Sequence, residues 1–149
     1  MTQNPVTGVE ESVGSDSSIG PRAARGTARY TYNFGSQPSV VGTFVLPGPI
    51  LPDNAVIKDA FIDVLTVPTS GGSATIALGF ESTSDINNAD AISGAPWSST
   101  GVVDTDAPTH GTESGYVKLT GNKGLQMTIA TAALTAGIFT VTVEFDVTG

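Results

Sequence analysis

The sequence contains no cysteine and few basic residues. The absence of cysteine excludes disulfides, thiolate metal sites and cysteine nucleophiles. Six Lys and Arg residues stand against fourteen Asp and Glu residues, which gives a formal net charge of −8. Because binding to phosphate groups needs clustered cations, we expect neither nucleic acid nor an anionic membrane surface as the main partner.

Charge of either sign is also scarce, at 13% of residues, about half of the ~25% that is usual in soluble domains. No apolar run is long enough for a transmembrane helix. The first residues lack the basic and then apolar pattern of a secretory signal, so we expect synthesis and assembly in a cytoplasm. What is abundant is glycine, with 18 residues, alongside nine prolines and many Ser and Thr residues. This composition is typical of short strands joined by many turns, in a chain that has the size of one domain.

The clearest local pattern lies near the C-terminus, in residues 137–147. Apolar residues alternate with polar ones there, so one face of a strand is dry and the other is wet. The dry face carries Phe139, Val141, Val143, Phe145 and Val147. Similar patterns predict strands at 29–34, 39–46, 55–67, 73–80, 116–120 and 125–129, of which 55–67 and 73–80 resemble a hairpin.

Residues 84–92 are the only helical candidate, with Ser84 or Asp85 as the cap. The whole pattern predicts an all-β protein. We expect an antiparallel β-sandwich of jelly-roll type with at most one short helix, and a closed barrel is the alternative.

The N-terminal region differs from the rest of the chain in charge. Residues 1–20 contain three acids, many Ser and Gly residues and no aromatic residue, which predicts a flexible arm. Three of the six basic residues follow closely, namely Arg22, Arg25 and Arg29. They form either a solvated linker or a basic arm that docks on an acidic partner surface. We therefore expect an arm over residues 1–29 and a β-sandwich domain over residues 30–149.

A long polar loop is expected at residues 93–115, and loops of this length are usually functional or ordered by a partner. It contains the only Trp, Trp97, and the only His, His110. Trp97 is either an anchor at an interface, which we favour over stacking on a sugar, or a lid on one end of the core. His110 is expected to be an exposed loop or interface residue. The predicted partner-binding residues are Arg22, Arg25, Arg29, Trp97 and His110.

No set of residues predicts catalysis or a cofactor. One His and no Gly-x-Ser-x-Gly turn leave no candidate for a nucleophile with its base. Asp59 and Asp63 lie about 13 Å apart along one strand, too far for a glycosidase pair. Asp104, Asp106 and Glu113 do not follow the EF-hand spacing. We therefore expect a protein that is not an enzyme and that holds neither a metal nor a cofactor.

Five short segments carry a family resemblance: Gly48–Ile57, Ala74–Gly79, Ala95–Ser98, Val117–Thr120 and Ala133–Gly137. In their order and spacing, residues 33–147 resemble small structural proteins of tailed-bacteriophage heads, and the nearest of these are the capsid decoration, or cementing, proteins. The segments belong to the scaffold, and none is a chemical signature.

The resemblance implies a β-sandwich and a structural role in the virion. It implies that the protein binds the outer surface of the capsid, with the major capsid protein as its partner. Three-fold positions of a capsid would suit a homotrimer. The alternatives are a glycan- or receptor-binding module of a head fibre or tail, with Trp97 at its site, and a tail-tube subunit.

Overall fold

The computed structural model describes residues 24–106 and 116–148. All regular structure in these residues is β-strand, and no helix occurs among them. The nine strands are β1 (Ala24–Asn33), β2 (Gly42–Val45), β3 (Ala55–Ser70), β4 (Thr75–Gly79), β5 (Asn87–Ala91), β6 (Gly101–Asp104), β7 (Val117–Lys118), β8 (Gln126–Ala130) and β9 (Leu134–Val147).

The strands form two antiparallel sheets. The first has the order β1-β9-β3-β6, with β7 also paired to β3, and the second has the order β2-β8-β4-β5. Every pairing is antiparallel. One buried apolar cluster draws residues from both sheets, so the predicted antiparallel β-sandwich is confirmed. Because the sheets share no strand pairing, the closed barrel is wrong.

β9 is the central strand of the first sheet and pairs with β1 on one side and β3 on the other. Phe139, Val141 and Val143 are fully buried, while Phe145 and Val147 pack against the core at its margin. The dry face predicted from the alternation is therefore confirmed. Each fully buried side chain of this kind stabilises the fold by about 1.5–3 kcal/mol.

The second sheet supplies the opposing half of the core. Its inward side chains include Ile76 and Leu78 of β4 with Met127 and Ile129 of β8. They face residues of β3 that the sequence pattern also places inward, namely Ala60, Ile62 and Val64.

The predicted hairpin between residues 55–67 and 73–80 is wrong. β3 belongs to the first sheet and β4 to the second, so the turn after Ser70 carries the chain across the core. β3 uses its inner edge for β9 along nearly its whole length, and its other edge for β6 and β7.

The helical candidate at residues 84–92 is also wrong, because Asn87–Ala91 form β5 on the edge of β4. The Asp85 carboxylate does accept backbone hydrogen bonds, as a cap would. Its donors, however, are the N–H groups of Phe80, Glu81 and Ser82, at 2.7, 2.9 and 3.0 Å. All three precede Asp85, so the carboxylate closes the turn that leaves β4.

Two contacts place β5 beside the end of β6. Asn88 N–H donates to an Asp106 carboxylate oxygen at 2.9 Å, and Asp106 N–H donates to Asn87 Oδ1 at 3.3 Å. On the other side of the sandwich, the Tyr32 ring of β1 contacts the Phe44 ring of β2 at 6.1 Å between centroids. Strands β1 and β2 therefore form one lateral side of the sandwich, and β5 and β6 form the opposite one.

A polar cluster ties the turn after β4 to the segment after β7. The Glu81 carboxylate accepts hydrogen bonds from the backbone N–H and the hydroxyl of Thr120, at 2.9 and 2.8 Å. Lys123 Nζ lies 3.6 Å from the same carboxylate. The Thr120 hydrogen bonds, helped by the Lys123 charge, lower the pKa of Glu81.

Candidate partner-binding surface

Strand β1 begins at Ala24, so residues 24–29, which we assigned to the arm, pair with β9 in a continuous register. Its side chains alternate between Ala28, Tyr30 and Tyr32 in the core and Arg25, Thr27 and Arg29 at the surface. A Cβ at position 26 would lie 2.6 Å from the Phe145 ring, so a larger residue there would require this ring to move. The arm predicted for residues 1–23 lies outside the described residues.

Among the described residues, only the second half of the outer edge of β1 has a covering segment. Successive residues of an antiparallel strand direct their N–H and C=O groups to alternate edges. Thr31 N–H donates to Pro47 O at 3.4 Å, and Asn33 N–H donates to Gln37 Oε1 at 2.6 Å. Odd-numbered residues of β1 therefore face the outer edge, and the chain at residues 37–47 covers them from Thr31 onward.

Two buried tyrosines hold this covering segment in place. Tyr30 Oη donates to Pro49 O at 2.7 Å, and Tyr32 Oη donates to Pro38 O at 3.0 Å. Burial raises the pKa of both phenols. Gly48 lies so close that a Cβ would stand 2.5 Å from the Tyr30 ring, so no other residue fits there without a shift.

The first half of the β1 edge is left open by the residues that the structure describes. No hydrogen bond from residues 24–106 or 116–148 reaches the outward N–H or C=O of Arg25 or Thr27, or the N–H of Arg29. A row of unpaired backbone groups on a regular edge strand is able to accept another extended chain. This stretch, the open β1 edge at residues 25–29, is the candidate partner-binding surface.

A cleft of about 600 Å³ near the start of β1 is lined by residues of β1, β3 and β9. Arg25 is 85% exposed at its rim, with Nε 3.4 Å from an Asp146 carboxylate oxygen. The Lys58 ammonium lies over the Tyr116 ring, 4.8 Å from its centroid. The cleft is lined by Arg25, Gly26, Thr27, Lys58, Glu144, Phe145 and Asp146. Its charges are mixed, so it suits a peptide-like partner better than a single small ion.

Trp97 is fully buried, and its ring lies 4.8 Å from the Phe139 ring between centroids. This position agrees with the lid on the core, the second of the two interpretations from sequence. Its Nε1 has no hydrogen-bond partner among the described residues. A ring without exposed surface offers no stacking platform in this conformation, and a role of Trp97 in partner binding stays a prediction.

The structure brings only two of the five predicted partner-binding residues together. Arg25 and Arg29 share the outer face of β1, whereas Trp97 lies in the core. Arg22 and His110 lie outside the described residues.

Sequence reasoning missed the exposed apolar residues around β2, among them Val40, Val41, Val45 and Ile50. One available signal was the complete absence of charge between residues 34 and 52.

Within residues 24–106 and 116–148, no group of three His, Cys, Asp or Glu side chains is placed to hold a metal ion. The same residues contain no helix of the length and apolarity needed to cross a bilayer.

Comparisons with known proteins identify the fold. No protein-family model matches the sequence, and no curated protein matches it. Solved chains that are similar in structure include two from phage capsids. One, from the acidic stable capsid structure of Helicobacter pylori bacteriophage KHP30, has a TM-score of 0.56 and 13% identity, covering 83% of this chain and 87% of its own. The other, from the capsid asymmetric unit of cyanophage Pam1, has a TM-score of 0.55 and 17% identity. The match covers 90% of this chain and 92% of the cyanophage chain. At these identities the likeness shows a shared sandwich fold.

Proposed function

We propose that this chain is a structural protein of a phage virion, and that it binds the outer surface of the capsid and stabilises it as a decoration protein. One observation carries the proposal. Two chains from phage capsid structures match this sandwich over 83–90% of its length and over 87–92% of theirs. Agreement in both directions means that the likeness concerns a whole subunit and not a shared fragment.

The surface chemistry supports a protein partner. The open β1 edge presents backbone donors and acceptors, and Arg25 and Arg29 extend from the same strand, whose first residues also line the cleft. Addition of a strand to an exposed sheet edge gives affinity through main-chain hydrogen bonds and specificity through side-chain pockets. The partner is the major capsid protein, which supplies an acidic extended segment to this edge.

The finer features of the proposal follow the resemblance found in the sequence. The subunits form a homotrimer at three-fold positions on the capsid exterior, and assembly takes place in the host cytoplasm. Residues 1–23 with Arg22, and the loop that contains His110, supply further contacts to the capsid. No cofactor takes part, and the role is not enzymatic.

The glycan-binding alternative relies on Trp97 as an aromatic platform, and the burial of this ring in the present conformation makes decoration the better supported of the two. The tail-tube alternative differs from decoration in the place where the chain is found in the particle.

The proposal is tested by adding the purified protein to capsids that lack it and measuring co-sedimentation. Thr27→Pro removes an N–H group that points to the open β1 edge and leaves the bonds to β9 intact, so we expect binding to fall at least about tenfold, the effect of about 1.4 kcal/mol. Thr27→Val keeps the N–H group and is the matched control, expected to bind like the wild type. Equal binding by Thr27→Pro and Thr27→Val would exclude the β1 edge as the docking element, and no binding by the wild type would exclude decoration.

A further inference from the structure

β2 is an edge strand of the second sheet, and its outer edge is open. Leu46 N–H donates to Leu125 O at 2.8 Å, and the same register makes the even-numbered residues of β2 face β8. The N–H and C=O groups of Thr43 and Val45 therefore point away from the sheet. No hydrogen bond from residues 24–106 or 116–148 reaches them. We call Thr43 and Val45 the open β2 edge.

The surroundings of the open β2 edge are apolar and uncharged. Four apolar side chains in this region are between 55% and 64% exposed, namely Val40, Val41, Val45 and Ile50. Val45 and Ile50 are neighbours, because both lie within 3.0 Å of the position that a Cβ on Gly124 would occupy. Residues 34–52 contain no Asp, Glu, Lys or Arg. Exposed apolar side chains and depletion of charge are typical of the centre of a protein interface.

A comparison with the open β1 edge indicates what covers β2. Charged side chains on an edge strand oppose its pairing with another copy of the same strand. Two β1 strands paired antiparallel about Thr27 would set Arg25 of one copy opposite Arg29 of the other, and like charges directly opposite are destabilising. Two β2 strands bring no charges together, because the whole segment 34–52 has none. The chain thus guards its β1 edge against a second copy and leaves its β2 edge unguarded.

We propose that β2 pairs antiparallel with β2 of a second copy of this chain, about a two-fold axis at Phe44. In this register, Thr43 of each copy lies opposite Val45 of the other. Every outward N–H of these two residues then meets an outward C=O, so the open β2 edge is satisfied in both copies. The second sheet becomes continuous across the two copies.

The side chains around the strand fit this two-fold axis. An antiparallel pair places the start of one β2 beside the end of the other, so Val40 and Val41 approach Val45 and Ile50 of the second copy. Thr43 and Val45 are both β-branched, and such residues form favourable cross-strand pairs. The contact is isologous, since the same surface is used by both copies.

The inference goes beyond the proposed function and does not rest on it. The contact uses β2, whereas the proposed capsid contact uses the open β1 edge. Where the homotrimer of the proposed function forms through another surface, the β2 contact joins such trimers in pairs. In either case the number of copies in solution is even.

The first test uses the full chain in the absence of capsids, with native mass spectrometry and sedimentation velocity. We expect the wild type to contain an even number of copies. Val45→Pro removes an outward N–H and leaves the bonds of Phe44 and Leu46 to β8 intact, so it should weaken association at least about tenfold. Val45→Thr keeps the N–H and the β-branched shape. It is the matched control and should associate within about threefold of the wild type.

A second set of variants tests the register without proline. Thr43→Lys and Val45→Glu each place a charge against an uncharged side chain, and each should weaken association about tenfold. The double variant sets the introduced ammonium opposite the introduced carboxylate of the second copy. It should therefore associate at least about fivefold more tightly than either single variant. Melting curves of the single and double variants should agree with the wild type, since both positions are exposed, which separates weaker association from loss of the fold.

Amide hydrogen exchange of the wild type reports the backbone contact directly. The N–H groups of Thr43 and Val45 should exchange at least about tenfold more slowly at a protein concentration where the copies associate than at one where they do not. The N–H of Thr27 belongs to the open β1 edge and should exchange rapidly at both concentrations without capsids.

Four results would overturn the inference. One is a wild type that stays monomeric up to about 1 mM or contains only odd numbers of copies. Another is equal association of Val45→Pro and Val45→Thr, and a third is a double variant that associates no better than the single variants. The fourth concerns the protection of Thr43 and Val45. Protection that is independent of concentration would identify another segment of the same chain as the occupant, and protection that appears only with capsids would identify a capsid protein.

The two proposals fail separately. A chain that associates through β2 and does not bind capsids would refute decoration alone. A monomer that binds capsids would refute the β2 contact alone.

Discussion

Strands β1 and β2 lie side by side on one lateral side of the sandwich. They differ in length, in charge and in how much of the outer edge is covered by other residues. β1 has ten residues, a continuous register with β9 and two exposed arginines. β2 has four residues, no charge and an apolar surround. Within the described part of the chain, both leave outward backbone groups open, which is a liability that proteins often remove with proline, lysine or bulges. One lateral side of this small sandwich therefore carries two chemically different edges, a basic one on β1 and an apolar one around β2.

The largest expected effect is a difference in stability between proline substitutions that affect the inner edge of β1 and those that affect its outer edge. Ala28→Pro removes a backbone N–H that faces β9 and places a ring among buried side chains. We expect it to lower the free energy of unfolding by about 3 kcal/mol or more. Thr27→Pro, one residue away, acts on the open edge and should cost about 1 kcal/mol or less. Chemical denaturation of both variants measures the difference, and equal losses would contradict the assignment of the open edge.

On β2, replacing an inward side chain should lower the free energy of unfolding more than replacing an outward one. Phe44 is half-buried against Tyr32, so Phe44→Ala is expected to lower the free energy of unfolding by about 1–3 kcal/mol. Val45→Ala removes an exposed side chain and should change it by less than about 0.5 kcal/mol. A Val45→Ala variant that unfolds as readily as Phe44→Ala would place Val45 in the core.

The ion pair at the start of β1 is expected to contribute little. Arg25 is largely exposed and lies 3.4 Å from Asp146, a pair of the kind that contributes about 0–1 kcal/mol. Arg25→Gln should therefore lower the melting temperature only slightly at low salt and not at all at high salt, because added ions screen the pair. A salt-independent loss would mean that Arg25 stabilises the strand through packing.

The smallest expected effect is a pH-dependent difference in melting temperature that is due to Glu81. The pKa of this carboxyl is lowered in the folded chain by hydrogen bonds from Thr120 and the charge of Lys123. A group whose pKa falls on folding stabilises the fold above its unfolded pKa, and the contribution disappears as the pH falls through the folded pKa. The wild type should therefore have a slightly higher melting temperature than the Glu81→Gln variant at neutral pH. The gap should close below the ordinary Glu value of 4.5, and a gap that widens with acid would contradict the assignment.

The local alternation of apolar and polar residues was enough to predict the main strands of the sandwich. The spacing from Phe139 to Val147 specifies a half-buried strand, and β9 is the centre of the first sheet. Pairing depends on the rest of the chain, so the sequence did not reveal that β3 and β4 lie in different sheets. β5 reads as Asn-Asn-Ala-Asp-Ala, without apolar alternation, and is a strand because the edge of β4 and the Asp106 carboxylate hold it there.

The candidate surfaces were less predictable for a related reason. Charge density indicated Arg25 and Arg29, but only the register of β1 shows that they flank open backbone groups. Trp97 stood out as the sole Trp, and its burial depends on contact with Phe139 on a strand more than forty residues away. Exposed apolar residues are ordinary one at a time, and the sequence did not reveal that Val45 and Ile50 lie next to each other at Gly124.

The measurement that tests the central claim most directly is a density map of capsids decorated with the purified full chain. Decoration predicts sandwich-shaped density on the outer capsid surface, with the open β1 edge at residues 25–29 against the major capsid protein and an added strand beside Thr27. Density in the tail, inside the capsid, or outside it with that edge facing solvent would contradict the account.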